Sequence, residues 1–130
     1  MSENIILKLD EKNWEKMVEK GKKPVIVMFY SETCSHCRTM MPYYEKFAGE
    51  YGDKIIFGRL DVAASSWIRE KYGIMSTPTF KYFCGGKPVS DLIGAIYPKV
   101  LENMIKDMMN HGKECAEKSS EIEYEITGYA

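Results

Sequence analysis

The chain reads as an α/β domain with a central mixed β-sheet flanked by helices, its elements in the order β-α-β-α-β-α-β-β-α. Three observations predict this. Apolar runs of strand length alternate with segments of helical spacing, which implies right-handed crossovers and a parallel or mixed sheet. One run, VIVMFY from Val25 to Tyr30, is continuously apolar, rich in β-branched residues and preceded by Pro24. Such a run suits a central strand buried on both faces. Finally, Gly85-Gly86 separates two strand-like runs and predicts an antiparallel hairpin near the end.

Taken in order, Ile5 to Leu9 predicts a short first strand. Asp10 supplies an N-cap for a helix from about Glu11 to Lys20, with Trp14, Met17 and Val18 on one face and Gly21 as its stop. After the central strand, a helix is expected from about Cys34 to Tyr51, where Met40 or Met41, Tyr44, Phe47 and Tyr51 keep helical spacing. Pro42 lies inside it and is expected to kink it after two turns. Ile55 to Val62 is the next strand, and Ser65 or Ser66 caps a short helix through Tyr72 that Gly73 ends. Thr79 to Cys84 and Val89 to Ile93 are the arms of the hairpin. Pro98 opens a last helix to about His111, with Gly112 as its stop. Its Val100, Leu101, Met104, Ile105, Met108 and Met109 form an apolar stripe read as core. Trp14 and Trp67 are read as packing residues.

With 130 residues the chain is one domain's worth. Residues 1–112 are assigned to it, and 113–130 to an acidic C-terminal tail. That tail holds Glu114, Glu117, Glu121, Glu123 and Glu125 against Lys113 and Lys118. Two readings of it stand: a solvated mobile tail, or an added edge strand from the alternation in EIEYEIT. The net charge of −1 gives no electrostatic case for nucleic acid or for an anionic membrane surface. No apolar run is long enough to span a bilayer. The N-terminal MSENIILKLD has no cationic segment before a long apolar one, so a cytoplasmic protein is expected. Of the four cysteines, only Cys34 and Cys37 are close in sequence; Cys84 and Cys115 form no spaced motif.

Cys34 and Cys37 stand where the buried strand gives way to a helix, in the stretch SETCSHCRTM. A helix N-terminus carries unpaired N–H groups and a partial positive charge, which favour an anion. A thiolate is such an anion, and it is the nucleophile of disulfide exchange. Cys37 lies within one helical turn of Cys34 and on the same side, so it can close an intramolecular disulfide and expel a substrate thiol. His36, between the two, can stabilise a nearby thiolate and so set the poise of the pair. Ser35 is small and able to hydrogen bond locally. Two other readings exist. The pair could be buried structural thiols, or part of a metal site. Structural zinc takes four ligands, and Cys34, His36 and Cys37 supply at most three, with no second C-x-x-C in the chain.

The segment from Val25 to Tyr51, with C-S-H-C after an apolar strand, resembles the thioredoxin superfamily. Two further stretches carry the resemblance. YGIMSTPTF, Tyr72 to Phe80, is similar to the family's Y-G-[IV]-x-x-x-P-T segment, and Phe83 to Lys87 to its F-x-x-G-[KE] hairpin turn. The resemblance covers about residues 5 to 112 and implies the thioredoxin fold. It implies Cys34 as nucleophile, Cys37 as resolving thiol, and a redox-active Cys34–Cys37 disulfide with no cofactor and no metal. It further implies a cis peptide before Pro78, with Thr77 and Pro78 offering backbone to an extended substrate segment. Gly94 stands where the family often has a glycine facing the active site, and Thr33 and Ser35 flank the disulfide. Arg59 sits where thioredoxins commonly carry a lysine near the active site, an electrostatic role.

Two departures bear on the poise of the pair. Thr33 replaces the usual tryptophan before the first cysteine, and Met28 stands near where the family has a buried aspartate. Proton transfer then falls to His36, a water or Glu32. C-S-H-C is closer to the C-G-H-C of protein disulfide isomerase domains than to C-G-P-C. The resemblance implies a protein-disulfide reductant acting as a monomer on disulfide-containing clients and recharged by a separate reductase. Two alternatives stand beside it: an oxidase or isomerase of higher potential, and a peptide- or partner-binding module on the same fold.

Overall fold

The computed structural model describes residues 6–111. Ile5, Gly112, Cys115 with any bridge to it, and the tail 113–130 with both readings of it lie outside the described residues. The elements are β1 (Ile6–Leu9), a π-helix (Glu15–Glu19), β2 (Val25–Tyr30), α1 (Ser35–Tyr51), β3 (Ile56–Asp61), α2 (Ser66–Lys71), β4 (Thr79–Cys84) and β5 (Lys87–Ile93). A further helix, α3, covers residues 98–111. The expected order is therefore present.

The five strands lie in the order β1-β3-β2-β4-β5. β3 runs parallel to both β1 and β2, and β4 runs antiparallel to β2 and β5. β2 is central and buried along its length except at Tyr30. Its side chains alternate between two cores. Ile26 and Met28 join Tyr44, Phe57, Phe80 and Leu101 on the α1 and α3 side. Val25, Val27 and Phe29 join Trp14, Val18 and Ile68 on the other. The result is three layers.

Several local expectations meet a different outcome. The first helix is a single widened turn: the Lys20 N–H donates to the Glu15 carbonyl at 2.8 Å, an i to i+5 bond. It also starts later than expected, at Glu15 with Trp14 as its N-cap; the Asp10 carboxylate instead closes the turn before it, accepting from the Lys12 and Asn13 N–H groups at 2.8 and 2.9 Å. The wide turn still sets Trp14 and Val18 against the sheet, both fully buried. Ser65 occupies the N-cap of α2, but its side chain makes no capping bond. Trp67 is 43% exposed and is not a core residue: it lies on α2 beside Ile68, the one fully buried position of that helix. α1, by contrast, has the expected extent, Ser35–Tyr51 with Pro42 inside it.

The hairpin turn needs its glycines. Gly85 and Gly86 both have positive φ, 59° and 86°, as a two-residue turn between right-twisted strands demands. A Cβ at Gly86 would also collide with the backbone carbonyl of Glu19, so the turn packs directly on the end of the π-helix. No helix among the described residues is long and apolar enough to cross a membrane.

Candidate active site

Strand pairing gathers the site at one end of the sheet. β2 ends at Tyr30, and its Phe29 pairs with Thr79, the first residue of β4. Thr79 also pairs with Ile93, the last residue of β5. The loop after β2, the Thr77-Pro78 segment before β4 and Gly94 after β5 therefore meet at the same edge. The Gly94 N–H donates to the Pro78 carbonyl at 2.8 Å and ties two of them together. The Thr77–Pro78 peptide is cis.

Cys34 is the N-cap of α1, in extended backbone geometry, and its sulfur accepts a hydrogen bond from the Cys37 N–H at 3.1 Å. Cys34 and Cys37 form a disulfide, with Cα atoms 5.2 Å apart. The two differ in access. Cys37 is 4% exposed and belongs to the core cluster with Met28 and Met40, whereas Cys34 is only partly buried at its margin. The accessible sulfur is thus the one on the helix N-terminus, where the backbone N–H groups favour a thiolate.

Thr33, Ser35 and His36 surround the pair, with Ser35 and His36 on the first turn of α1. Thr33 is held by Ser31: their hydroxyls lie 3.0 Å apart, and the Thr33 N–H donates to the Ser31 hydroxyl at 3.2 Å. Arg38 donates from Nη1 to the Glu32 carbonyl at 3.1 Å, pinning the loop from the helix side. A cleft of about 250 Å³ opens next to Thr77, lined also by Ser31, Ala63, Arg69, Met75 and Ser76. Sequence reasoning misses Ser31, Arg38 and Arg69. A signal for Ser31 exists, a serine two residues before a threonine in a turn. Arg69 has none, because α2 reaches this end only through the fold.

Arg59 lies on β3 in register with Met28, which is fully buried. Its guanidinium stands 6.0 Å from the Tyr30 ring centroid. Burial raises the Tyr30 phenol above its ordinary value, and the Arg59 charge opposes that rise. Among the described residues, no group of three or more His, Cys, Asp or Glu side chains could hold a metal ion.

A disulfide spanning two residues at a helix N-terminus, one sulfur accessible and the other in the core, beside a cis-proline loop, defines a thiol–disulfide exchange protein. The thioredoxin family model matches residues 5–107, and the chain belongs to that family. It is 37% identical over 101 residues to the thioredoxin of Alicyclobacillus acidocaldarius subsp. acidocaldarius, a match covering 78% of this chain and 95% of that one. To the thioredoxin of Coprinus comatus it is 36% identical over 103 residues, covering 78% and 93%. The crystal structure of Malassezia sympodialis thioredoxin (Mala s 13) matches with a TM-score of 0.73 at 29% identity, covering 78% of this chain and 89% of that one. The protein is accordingly a protein-disulfide oxidoreductase whose redox group is its own disulfide.

Proposed function

We propose that the protein reduces disulfides of client proteins, with Cys34 as the attacking thiol and Cys37 as the resolving one. The observation that carries this is the asymmetry of the pair: Cys34 sits partly open at the N-cap of α1, while Cys37 is 4% exposed. In the reduced protein the Cys34 thiolate attacks one sulfur of the client disulfide. The client S–S bond breaks and its other sulfur leaves as a thiolate that takes up a proton. Cys37 then loses its proton and attacks the Cys34 sulfur. The bond from Cys34 to the client breaks, the client leaves fully reduced, and Cys34–Cys37 closes. Two electrons have passed to the client, and a separate reductase returns them.

In this reading Thr77, Pro78 and Gly94 offer backbone to an extended client segment, Thr33 and Ser35 flank it, and His36 sets the poise. The chain acts as a monomer without cofactor or metal, in the reducing cytoplasm, where such a reductant has its electron supply. Residues 1–112 form the acting domain and 113–130 an appendage. The protein is expected to accelerate reduction of insulin by dithiothreitol; a rate no faster than dithiothreitol alone rejects the reading.

A second reading, an oxidase or isomerase of higher potential, is favoured by His36 between the cysteines and by the thioether of Met28 beneath them. The equilibrium potential separates the two. A value near about −270 mV marks a reductant and one near about −180 mV an oxidant or isomerase, a gap of roughly 4 kcal/mol.

A further inference from the structure

The end of the sheet away from Cys34–Cys37 holds another bonded cysteine. Cys84 closes β4, whose first residue, Thr79, lies at the site; about 16 Å of strand separates the two. Cys84 is 7% exposed and belongs to the core cluster under α1 and α3. It is disulfide-bonded, and no cysteine among the described residues is free. Its partner is neither Cys34 nor Cys37, which are bonded to each other. The sequence holds one further cysteine, Cys115.

The fold brings the chain back to this end. Ile96, Tyr97 and Pro98, which lead into α3, line a cleft with Thr39 and Tyr43 near the start of α1. Tyr51, the last residue of α1, donates to Glu102 of α3. The two helices therefore run alongside each other in the same direction, away from the site. Leu101, Ile105 and Met108 carry α3 along the cluster that contains Tyr82 and Cys84. Residues 98–111, at about 1.5 Å each, pass the whole length of β4. Cys115 follows four positions after His111 in the sequence, and four residues reach up to about 13 Å. That is ample for the Cα separation of about 5.5 Å that a disulfide takes.

We infer that Cys84 and Cys115 form a second disulfide, a structural clasp that fastens the start of the acidic segment to the far end of β4 and stands outside the exchange at Cys34–Cys37. Its formation balances with a small disulfide, oxidised glutathione. One thiolate of the pair attacks a glutathione sulfur and expels the other glutathione as a thiolate. The second cysteine then loses its proton and attacks the protein sulfur of the mixed disulfide. Two glutathione thiols leave with two electrons and both protons. Two properties separate the clasp from the catalytic pair. The Cys84 sulfur lies in the core, shielded from attacking thiolates, whereas Cys34 is accessible. The clasp also joins residues 31 positions apart, across β5 and α3, and so restrains the unfolded chain far more than a bridge across two residues does. Disulfides are rare in reducing compartments. One stabilised in this way lies below the glutathione pool in potential and persists beside it.

The test equilibrates the full-length protein in oxidised and reduced glutathione, blocks thiols with iodoacetamide and maps the peptides by mass spectrometry without reduction. In oxidised buffer one peptide pair should be linked through Cys84 and Cys115. At the glutathione ratio that half-opens Cys34–Cys37, labelling of Cys84 and Cys115 should stay at least about tenfold lower than that of Cys34. Cys115→Ser should lower the thermal midpoint of the oxidised protein by about 10 °C, the effect of losing a bridge over a loop of this length in a domain of this size. Its rate of insulin reduction at room temperature should match the wild type. The double variant Cys84→Ala with Cys115→Ser repeats the thermal measurement with no thiol left in the core. Full labelling of Cys84 and Cys115 in oxidised buffer overturns the inference, as does a Cys84 peptide linked to any other cysteine or to a second copy. Opening of both pairs at one glutathione ratio, or an unchanged midpoint in both variants, overturns it equally. No client enters the mapping. A protein that carries the clasp yet fails with insulin sinks the client-reduction reading and leaves this inference standing.

Discussion

The two faces of the sheet are built differently. On the face under α2 and the π-helix, Trp14 packs edge-on to Phe83 at 5.4 Å and tilted against Phe29 and Tyr72 at 6.1 and 5.5 Å. Its one polar atom donates to the Tyr72 hydroxyl at 3.3 Å. The clustered core of that face is apolar, and the indole N–H buried in it is satisfied. The face under α1 is equally dense but carries polar groups at depth. The Tyr44 hydroxyl lies 2.6 Å from the Gly58 carbonyl and 3.0 Å from that of Ile26, and burial pushes its phenol well above the ordinary value. The Arg59 Nε is buried with no hydrogen-bond partner among the described residues, and Cys37 closes the disulfide from inside the core cluster of this face. One face stabilises; the other accepts unfavourable burial where the chemistry happens, the usual association of perturbed groups with function.

This contrast can be broken in graded ways. The largest effect belongs to the pair itself. Cys34→Ser should abolish disulfide reduction, whereas Cys37→Ser should still make the first attack and accumulate mixed disulfides on a non-reducing gel. Faster iodoacetamide labelling of Cys37 than of Cys34 would reverse the assigned roles. Next comes the apolar face. Trp14→Ala should cost about 3–5 kcal/mol in denaturant unfolding, as deletion of a fully buried aromatic does, with the Cys34–Cys37 potential unchanged. A shifted potential would mean that the two faces are not independent. Tyr44→Phe should cost about 1–3 kcal/mol by leaving buried carbonyl oxygens without their donor.

The smallest effect lies far from the site, where the Tyr51 hydroxyl donates to Glu102 at 2.7 Å. That bond, with burial, raises the Tyr51 phenol from 10.0 to about 12, and it lowers the Glu102 carboxyl below its usual range. The raised phenol favours the fold fully below pH 10 and loses that contribution as pH climbs through about 12. The lowered carboxyl contributes above its ordinary value of 4.5 and loses it as pH falls through the folded value. Phenolate absorbance in Glu102→Ala should therefore titrate closer to 10.0 than in the wild type.

Much of the site is legible in the sequence. Capping and strand-to-helix junctions are local, so a cysteine after VIVMFY can be placed at the start of α1, and it is the N-cap. Arg59 can be set on a strand near the site, but that its buried Nε meets no hydrogen-bond partner among the described residues cannot be read from the residues around it. That depends on Met28 and Lys8, residues 31 and 51 positions away in the chain, arriving on either side of it. Trp67 departs from the packing role expected of it for a related reason: a six-residue helix has too few positions to show which face the sheet will cover.

The sequence by itself determined the element order, the glycine turn that joins β4 to β5, and a dithiol on a helix N-terminus. These follow from side-chain periodicity, turn chemistry and capping, which act within a few residues. Only the tertiary structure decided that β3 sits between β1 and β2, that Cys37 rather than Cys34 is enclosed, that the first helix opens into a π turn, and that the buried Arg59 Nε meets no acceptor among the described residues. Each of those is a property of pairing and packing between distant segments, where the cost of one buried group is offset by many others and no short stretch of chain contains the answer.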